Sequence, residues 1–326
     1  MRYTALLFAL LAMPALSEPE AVNTRQFEFT YEVLGESFPG TEAVDIYLPL
    51  PAEHADQVIL KQSIDSSIPG KTGIEARYRN GYFHIRRPAN INGPVAATLS
   101  WTVSRNTVTS GHGTLTAEER ELFLAPNALV PVGHEILQPI LEEVRAQRND
   151  DSPAATARAI YDWVVDNVEY KKVGAGWGNG DTFWACSARY GNCTDFHALF
   201  VSLARSEGIP ARFEIGFPIP QDRPEGDIGG YHCWVQFYLP DRGWVPIDAS
   251  EAAKHPENRE LFYGTHPADR IHFSTGRDLV LSKAGETQPL NYFVYPYIEV
   301  GGKPWRMDLK TRFSYRELPA ALASIH

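Results

Sequence analysis

Residues 191–217 read GNCTDFHALFVSLARSEGIPARFEIGF, and residues 231–250 read YHCWVQFYLPDRGWVPIDAS. In the first stretch Phe196, Leu199, Phe200 and Leu203 recur three and four apart, the spacing of one buried helix face. Gly208 closes that helix and Pro210 forbids its continuation. Three strands are predicted after it: Arg212 to Gly216, 232–239 and 243–248. A helix opened by Cys193 therefore precedes an antiparallel sheet. Cys193 itself has three readings: a small buried apolar side chain, half of a disulfide, or a nucleophile held at a helix N-terminus.

Working outward, the 326 residues suffice for two ordinary domains and a sizeable core. With 44% hydrophobic and 21% charged residues the chain is globular, not disordered. A formal net charge of −10 argues against a nucleic-acid partner, because phosphate binding needs a basic surface.

The first residues, MRYTALLFALLAMPALSEPE, have the parts of a secretory signal. Arg2 supplies the positive start, Ala5 to Met13 the apolar run, and Ala15-Leu16-Ser17 the cleavage site, so residues 1–17 are expected to be removed. The run is too short to span a bilayer, and no later stretch approaches a span. The mature protein is expected to be soluble, and periplasmic or secreted. Export sharpens the cysteine question. Only Cys186, Cys193 and Cys233 are present, and an odd count leaves at least one free thiol or a link to another chain.

Phe27, Phe29, Tyr31 and Val33 alternate with polar neighbours, as do Val44, Ile46 and Leu48, and Val95, Ala97, Leu99, Trp101 and Val103. Turn clusters such as RNG at 79–81 and NGP at 92–94 separate such runs. Residues 18–117 are therefore expected to form a small β-sandwich-like domain. From 118 to 285 the character is mixed. Ile136, Leu137, Ile140, Leu141 and Val144 have helical spacing, and Ser152-Pro153 opens a further helix with Ile160, Trp163, Val164 and Val168 inside. Residues 286–326 turn aromatic and β-like, with no assignment to either domain. The loop GAGWGNGD at 174–181 lacks the lysine, hydroxyl and strand-to-helix setting of a phosphate loop, and reads as a flexible loop beside a cleft.

The chemistry centres on Cys193, His232 and Asp248. A thiol becomes a strong nucleophile when ionised, which a helix N-terminus and a nearby imidazolium both favour. His232 would take the proton and deliver it to a leaving amine. Asp248 would orient the ring through its other nitrogen. The backbone N–H of Cys193 is the natural first oxyanion donor, with the indoles of Trp177 and Trp184 as candidates for the second and for binding substrate. Each residue also has an ordinary role: core cysteine, strand histidine, turn-capping aspartate. Zinc is a rival through Cys193, His197, His232 and Cys233, but adjacent strand residues point to opposite faces, so His232 and Cys233 are not expected to share an ion. No metal or other cofactor is expected, and no acidic loop has calcium-ligand spacing. A hairpin loop at Asp241-Arg242-Gly243 would leave Asp248 about 13 Å out of line with His232 along the strand, a gap that bulges or sheared pairing must close.

These motifs, in this order, resemble the transglutaminase-like core: Gly-x-Cys opening a helix, Gly-Ile-Pro-Ala-Arg leading into a strand, His-x-Trp, then Trp-x-Pro-x-Asp. The resemblance is clear over about 150–250, extends to 118 and 285 in the manner of bacterial exported members, and is less specific for the β-rich N-terminal part. It implies an α+β, papain-like fold, with the cysteine helix packed on an antiparallel sheet. It further implies Cys193 as nucleophile, His232 as base and Asp248 as orienting acid. By the same resemblance the chemistry is attack on amide carbonyls of proteins or peptides, through a thioester, with an amine or water as acceptor. A periplasmic protease or amidase using water alone, or a non-catalytic binding module, are the alternatives. Around the three residues, Arg212 is expected to anchor the cleft wall and His197 to be structural. Cys233 is expected to face away from the cleft by strand alternation, free to pair with Cys186. Oligomeric state is not legible.

Overall fold

A computed structural model describes residues 23–319 apart from 37, 39, 92, 112, 284–287 and 307–308. The segment read as a secretory signal lies outside the described residues. Among those described, no helix is long and apolar enough to cross a membrane.

The fold is α+β, with three main antiparallel sheets. A four-stranded sheet has the order Gly243–Ile247, His232–Leu239, Ala211–Pro218, Arg270–Thr275. The helix Cys193–Ser206 lies on it, with Phe200 against Phe237 at 5.9 Å. Cys193 to Arg205 are all buried, so this helix is wrapped on every side rather than amphipathic. The helix Pro153–Asn167, capped by the Ser152 hydroxyl on Ala155 N, covers it with Ile160, Trp163 and Val164.

Two five-stranded sheets make up the rest. In one, Thr24–Gly35 sits between Val95–Asn106 and Lys310–Glu317, with Gln57–Ser66 and Glu225–Asp227 at the edges. In the other, Val44–Pro49 lies between Gly81–Arg87 and Tyr297–Val300. The C-terminal tail thus supplies one strand to the first and two, Tyr297–Val300 and Lys303–Pro304, to the second. The alternation of Phe27, Phe29, Tyr31 and Val33 turns these side chains inward, and Phe29 meets Phe217 and Phe273 of the four-stranded sheet at 5.3 and 5.5 Å. One apolar core therefore runs from the N-terminal strands to Cys193 and Cys233.

The hairpin between His232–Leu239 and Gly243–Ile247 differs from the expected one. Leu239 pairs with Gly243, so the loop is Pro240 to Arg242, and Gly243 takes the left-handed turn position at φ 72°. Val235 faces Ile247, which sets Asp248 opposite Trp234 and two residues from His232. The misalignment falls to about 7 Å, a gap two side chains can span without a bulge in this hairpin.

The start of the cysteine helix is closely packed. Asn192 Oδ1 accepts from Thr194 N, and the Asp195 carboxylate accepts from Asn192 N at 2.9 Å, a reciprocal cap. A Cβ on Gly191 would lie 2.3 Å from Asp195 Oδ2. Gly191→Ala should therefore overpack this corner and lower stability by about 2 kcal/mol, read from a denaturant midpoint. An unchanged midpoint would mean that the corner is loose.

Candidate functional site

Cys193 is the first residue of its helix, His232 the first of its strand, and Asp248 the N-cap of the helix Ala249–Lys254. The three side chains come together. His232 Nε2 stands 2.7 Å from Asp248 Oδ2, and Cys193 lies close enough to the same imidazole for the charge of each to shift the other's titration. With Nε2 on the carboxylate, Nδ1 is the ring nitrogen left free to serve sulfur. Exposure is 2% for Cys193, 7% for His232 and zero for Asp248, so the group is almost wholly shielded from solvent.

Asp248 is saturated with donors. Oδ2 receives His232 and Arg270 Nη1 at 3.1 Å; Oδ1 receives Ser250 Oγ and Glu251 N, each at 3.0 Å. Burial alone would raise its pKa, but the charge and hydrogen bond of His232, then the Arg270 guanidinium, hold it well below the usual carboxylate range. Burial pushes the His232 imidazole down; the charge and hydrogen bond of Asp248 and the Cys193 thiolate outweigh it and lift the ring to about 10. Burial likewise opposes ionisation of Cys193, yet the neighbouring Cys233 thiol and the charged His232 imidazole bring it well below an ordinary thiol. Cys186 lacks that company, and burial pushes it up to about 11. The arrangement can hold a thiolate beside an imidazolium.

Three expectations need correction. All three cysteines are free, so Cys186 and Cys233 are not joined. Nor does Cys233 face away: its sulfur lies 3.8 Å from Thr194 Oγ1 and 3.5 Å from His197 Nδ1, at the start of the cysteine helix. The alternation rule holds, but the helix lies over the Cys233 face of the sheet, and His232 reaches the sulfur from the end of the strand. Arg212 stacks on Trp244 at 4.3 Å and approaches Glu214 at 2.8 Å, on the opposite face of the sheet from the helix, so it braces the sheet's back rather than the cleft wall. His197 is fully buried between Cys233 and Asp248, its Nε2 3.6 Å from Asp248 Oδ1.

Trp177 donates its indole N–H to Gly174 O at 3.1 Å, and Trp184 stands edge-on to Tyr190 with ring centres 5.2 Å apart. Neither makes a described contact with Cys193 or His232. The glycine-rich loop does cradle an anion, but the protein's own: Gly178 N and Gly180 N donate to the Asp195 carboxylate at 2.7 and 3.0 Å. Near the thiol stand Tyr231, whose hydroxyl meets Asn192 Nδ2 and Thr194 Oγ1 at 2.9 and 2.8 Å, and the tail residues Tyr292 and Tyr295 packed on it. Two surface cavities of about 500 and 560 Å³ lie elsewhere, lined by residues such as Arg25 and Asp269 or Tyr297 and Trp305, and include none of the three residues. His232, Asp248 and Glu251 also bring ligand-type atoms within 4.8 Å of one another, but the donors already on Asp248 account for that closeness by hydrogen bonding.

Sequence reasoning missed Arg270, Asp195 and Tyr231. Arg270 sits in a stretch, PADRIHF, that carries no motif. Asp195 was legible, since Asn192 and Asp195 have capping-box spacing.

Comparison with known proteins follows from this geometry. Residues 141–249 match the family profile of the transglutaminase-like superfamily. An uncharacterised protein of Haemophilus influenzae is 31% identical over 198 residues, covering 51% of this chain and 54% of the relative. The uncharacterised protein YebA of Bacillus subtilis is 31% identical over 77 residues, covering 21% of this chain and 10% of its own length. The chain thus spans about half of the first relative and a tenth of the second. A solved structure from Cytophaga hutchinsonii, described as a candidate cysteine protease, superposes with a TM-score of 0.56 at 17% identity, covering 90% of this chain and 98% of that one. That likeness is one of fold.

Two outcomes are expected. Asp248→Asn leaves His232 and Arg270 buried without their anion and should cost about 3 kcal/mol, read by urea denaturation at neutral pH. The stabilisation held by His232 is fully present below its ordinary value of 6.5 and is lost as pH rises towards about 10. Cys193 works the other way up to its ordinary value of 9.0, because the folded thiolate holds one proton fewer than the unfolded thiol, so wild type should show the net loss only between about 9 and 10. In Asp248→Asn the loss should be smaller; an equal slope in both proteins would contradict the assignment.

Proposed function

We propose that this chain, a member of the transglutaminase-like superfamily through the core at residues 141–249, is an exported thiol enzyme that attacks amide carbonyls of protein or peptide substrates. One observation carries the reading: a thiol at a helix N-terminus stands within electrostatic reach of an imidazole whose Nε2 is held 2.7 Å from a buried carboxylate. Export rests on the signal-like features of residues 1–17.

The roles follow from the chemistry. The Cys193 thiolate adds to the carbonyl carbon, and the oxygen becomes an oxyanion. The backbone N–H of Cys193, at a helix position with no partner within the helix, is the nearest donor for it. His232, charged once sulfur has lost its proton, gives that proton to the departing amine as the C–N bond breaks, leaving a thioester. An incoming amine or water then attacks the thioester, gives up its proton to His232, and sulfur leaves as thiolate. Asp248 fixes which ring nitrogen faces sulfur and stabilises the imidazolium throughout. Trp177 and Trp184, on the loop and helix just before the nucleophile, are proposed as walls for the acyl side of the substrate.

A glutamine-bearing peptide supplied with a primary amine tests this. Mass spectrometry should find an amide adduct or the free acid, both absent with Cys193→Ala, and Asp248→Asn should retain a residual rate. No product and no acylated Cys193 across a panel of peptide amides would sink the proposal.

A further inference from the structure

We propose that Arg270 is a positioning residue for the His232–Asp248 pair, setting how firmly the imidazole keeps its proton by sharing Asp248 Oδ2 with it. This rests on the function proposed above.

Arg270 opens the strand Arg270–Thr275, opposite Pro218. Its Nη1 reaches Asp248 Oδ2 at 3.1 Å, on the oxygen that His232 Nε2 meets at 2.7 Å. Arg270 is 2% exposed and Asp248 fully buried, so water does little to screen the contact. The guanidinium is fixed on further sides: it lies 5.0 Å from the centre of the Trp234 ring, and its Nε meets Asp269 Oδ1 at 3.3 Å. Trp234 is itself anchored by its indole N–H on Glu214 Oε2 at 2.7 Å. The cation therefore cannot swing away from Asp248 without dismantling the back of the sheet.

The consequence is electrostatic. A lone buried carboxylate would hold an imidazolium so tightly that the ring became a poor acid for the leaving amine. A fixed positive charge on the same oxygen offsets part of that pull. Of the other titratable groups that face the pair, Cys193 and Glu251 favour the charged ring, with Glu251 Oε1 3.6 Å from His232 Nε2. His197, 3.6 Å from Asp248 Oδ1, is kept from charging by its burial, and His266, packed edge-on against Trp234, is likewise held neutral. Asp269 partly offsets Arg270 itself. Arg270 is thus the permanent cation in contact with Asp248. At this range its removal should raise the proton affinity of His232 by about one pH unit.

The test uses the whole protein with nitrogen-15 histidine, following the His232 ring signals against pH in wild type, Arg270→Met and Arg270→Lys. Arg270→Met should titrate about one pH unit higher, with kcat roughly tenfold lower and KM little changed. Arg270→Lys, which keeps the charge, should stay within a few tenths of a unit of wild type. A His232 titration unmoved in Arg270→Met would overturn the proposal and leave Arg270 a purely structural residue. If Arg270→Met does not fold, Arg270→Lys decides: a folded lysine variant displaced upward by a full unit would contradict a role carried by charge. Should His232 of the wild type titrate as an ordinary imidazole, indifferent to Cys193→Ala, the functional reading would fall first, a result distinct from either arginine outcome.

Discussion

The carboxylate of Asp248 is the constraint on which the rest depends. It has no exposure to solvent, and a buried anion survives only where protein donors replace water. Four donors do so, and they tie three parts of the chain: His232 from a strand end, Arg270 from the strand at the far edge of the sheet, and Ser250 Oγ and Glu251 N from the helix that Asp248 caps. The hairpin register delivers the residue to this place. Val235 opposite Ile247 leaves Asp248 just beyond the last pair, free to turn inward while the next residues begin a helix.

A second buried carboxylate does for the thiol what Asp248 does for the imidazole. Asp195 ties the first turn of the cysteine helix to its own N-cap and draws in the backbone N–H groups of Gly178 and Gly180. The glycines before the helix follow from this: Gly191 because a side chain would collide with Asp195, and the loop glycines because their amides must approach closely. The sulfur so placed meets an imidazole and a second thiol rather than a dry apolar wall. That separates it from Cys186, where burial works unopposed.

The helix and strands of the core were legible because their signals are local. Periodicity located Phe196 to Leu203, and Gly208 with Pro210 marked the stop. The N-terminal strands were legible by alternation. The tail was legible as β but not in its place, because strand Lys310–Glu317 is positioned by pairing with Thr24–Gly35 and Glu225–Asp227, both far away along the chain. The side of the sheet on which Cys233 lies was misread for a related reason: alternation says that two neighbours differ, but not which face a helix will cover. The distance between His232 and Asp248 turned on where the hairpin loop begins, and the reading with Gly243 inside the loop doubled the offset. Arg270 left no mark, since its partner lies 22 positions earlier and no spacing rule connects them.

The central claim is that Cys193 is ionised because a carboxylate-anchored imidazole stands beside it. The most direct measurement is the ultraviolet thiolate absorbance as a function of pH, taken as the difference between wild type and Cys193→Ser. The account predicts a thiolate signal already full at neutral pH and lost only well into the acid range. A signal that emerges only above the ordinary thiol value of 9.0, as a plain buried cysteine would give, would contradict it.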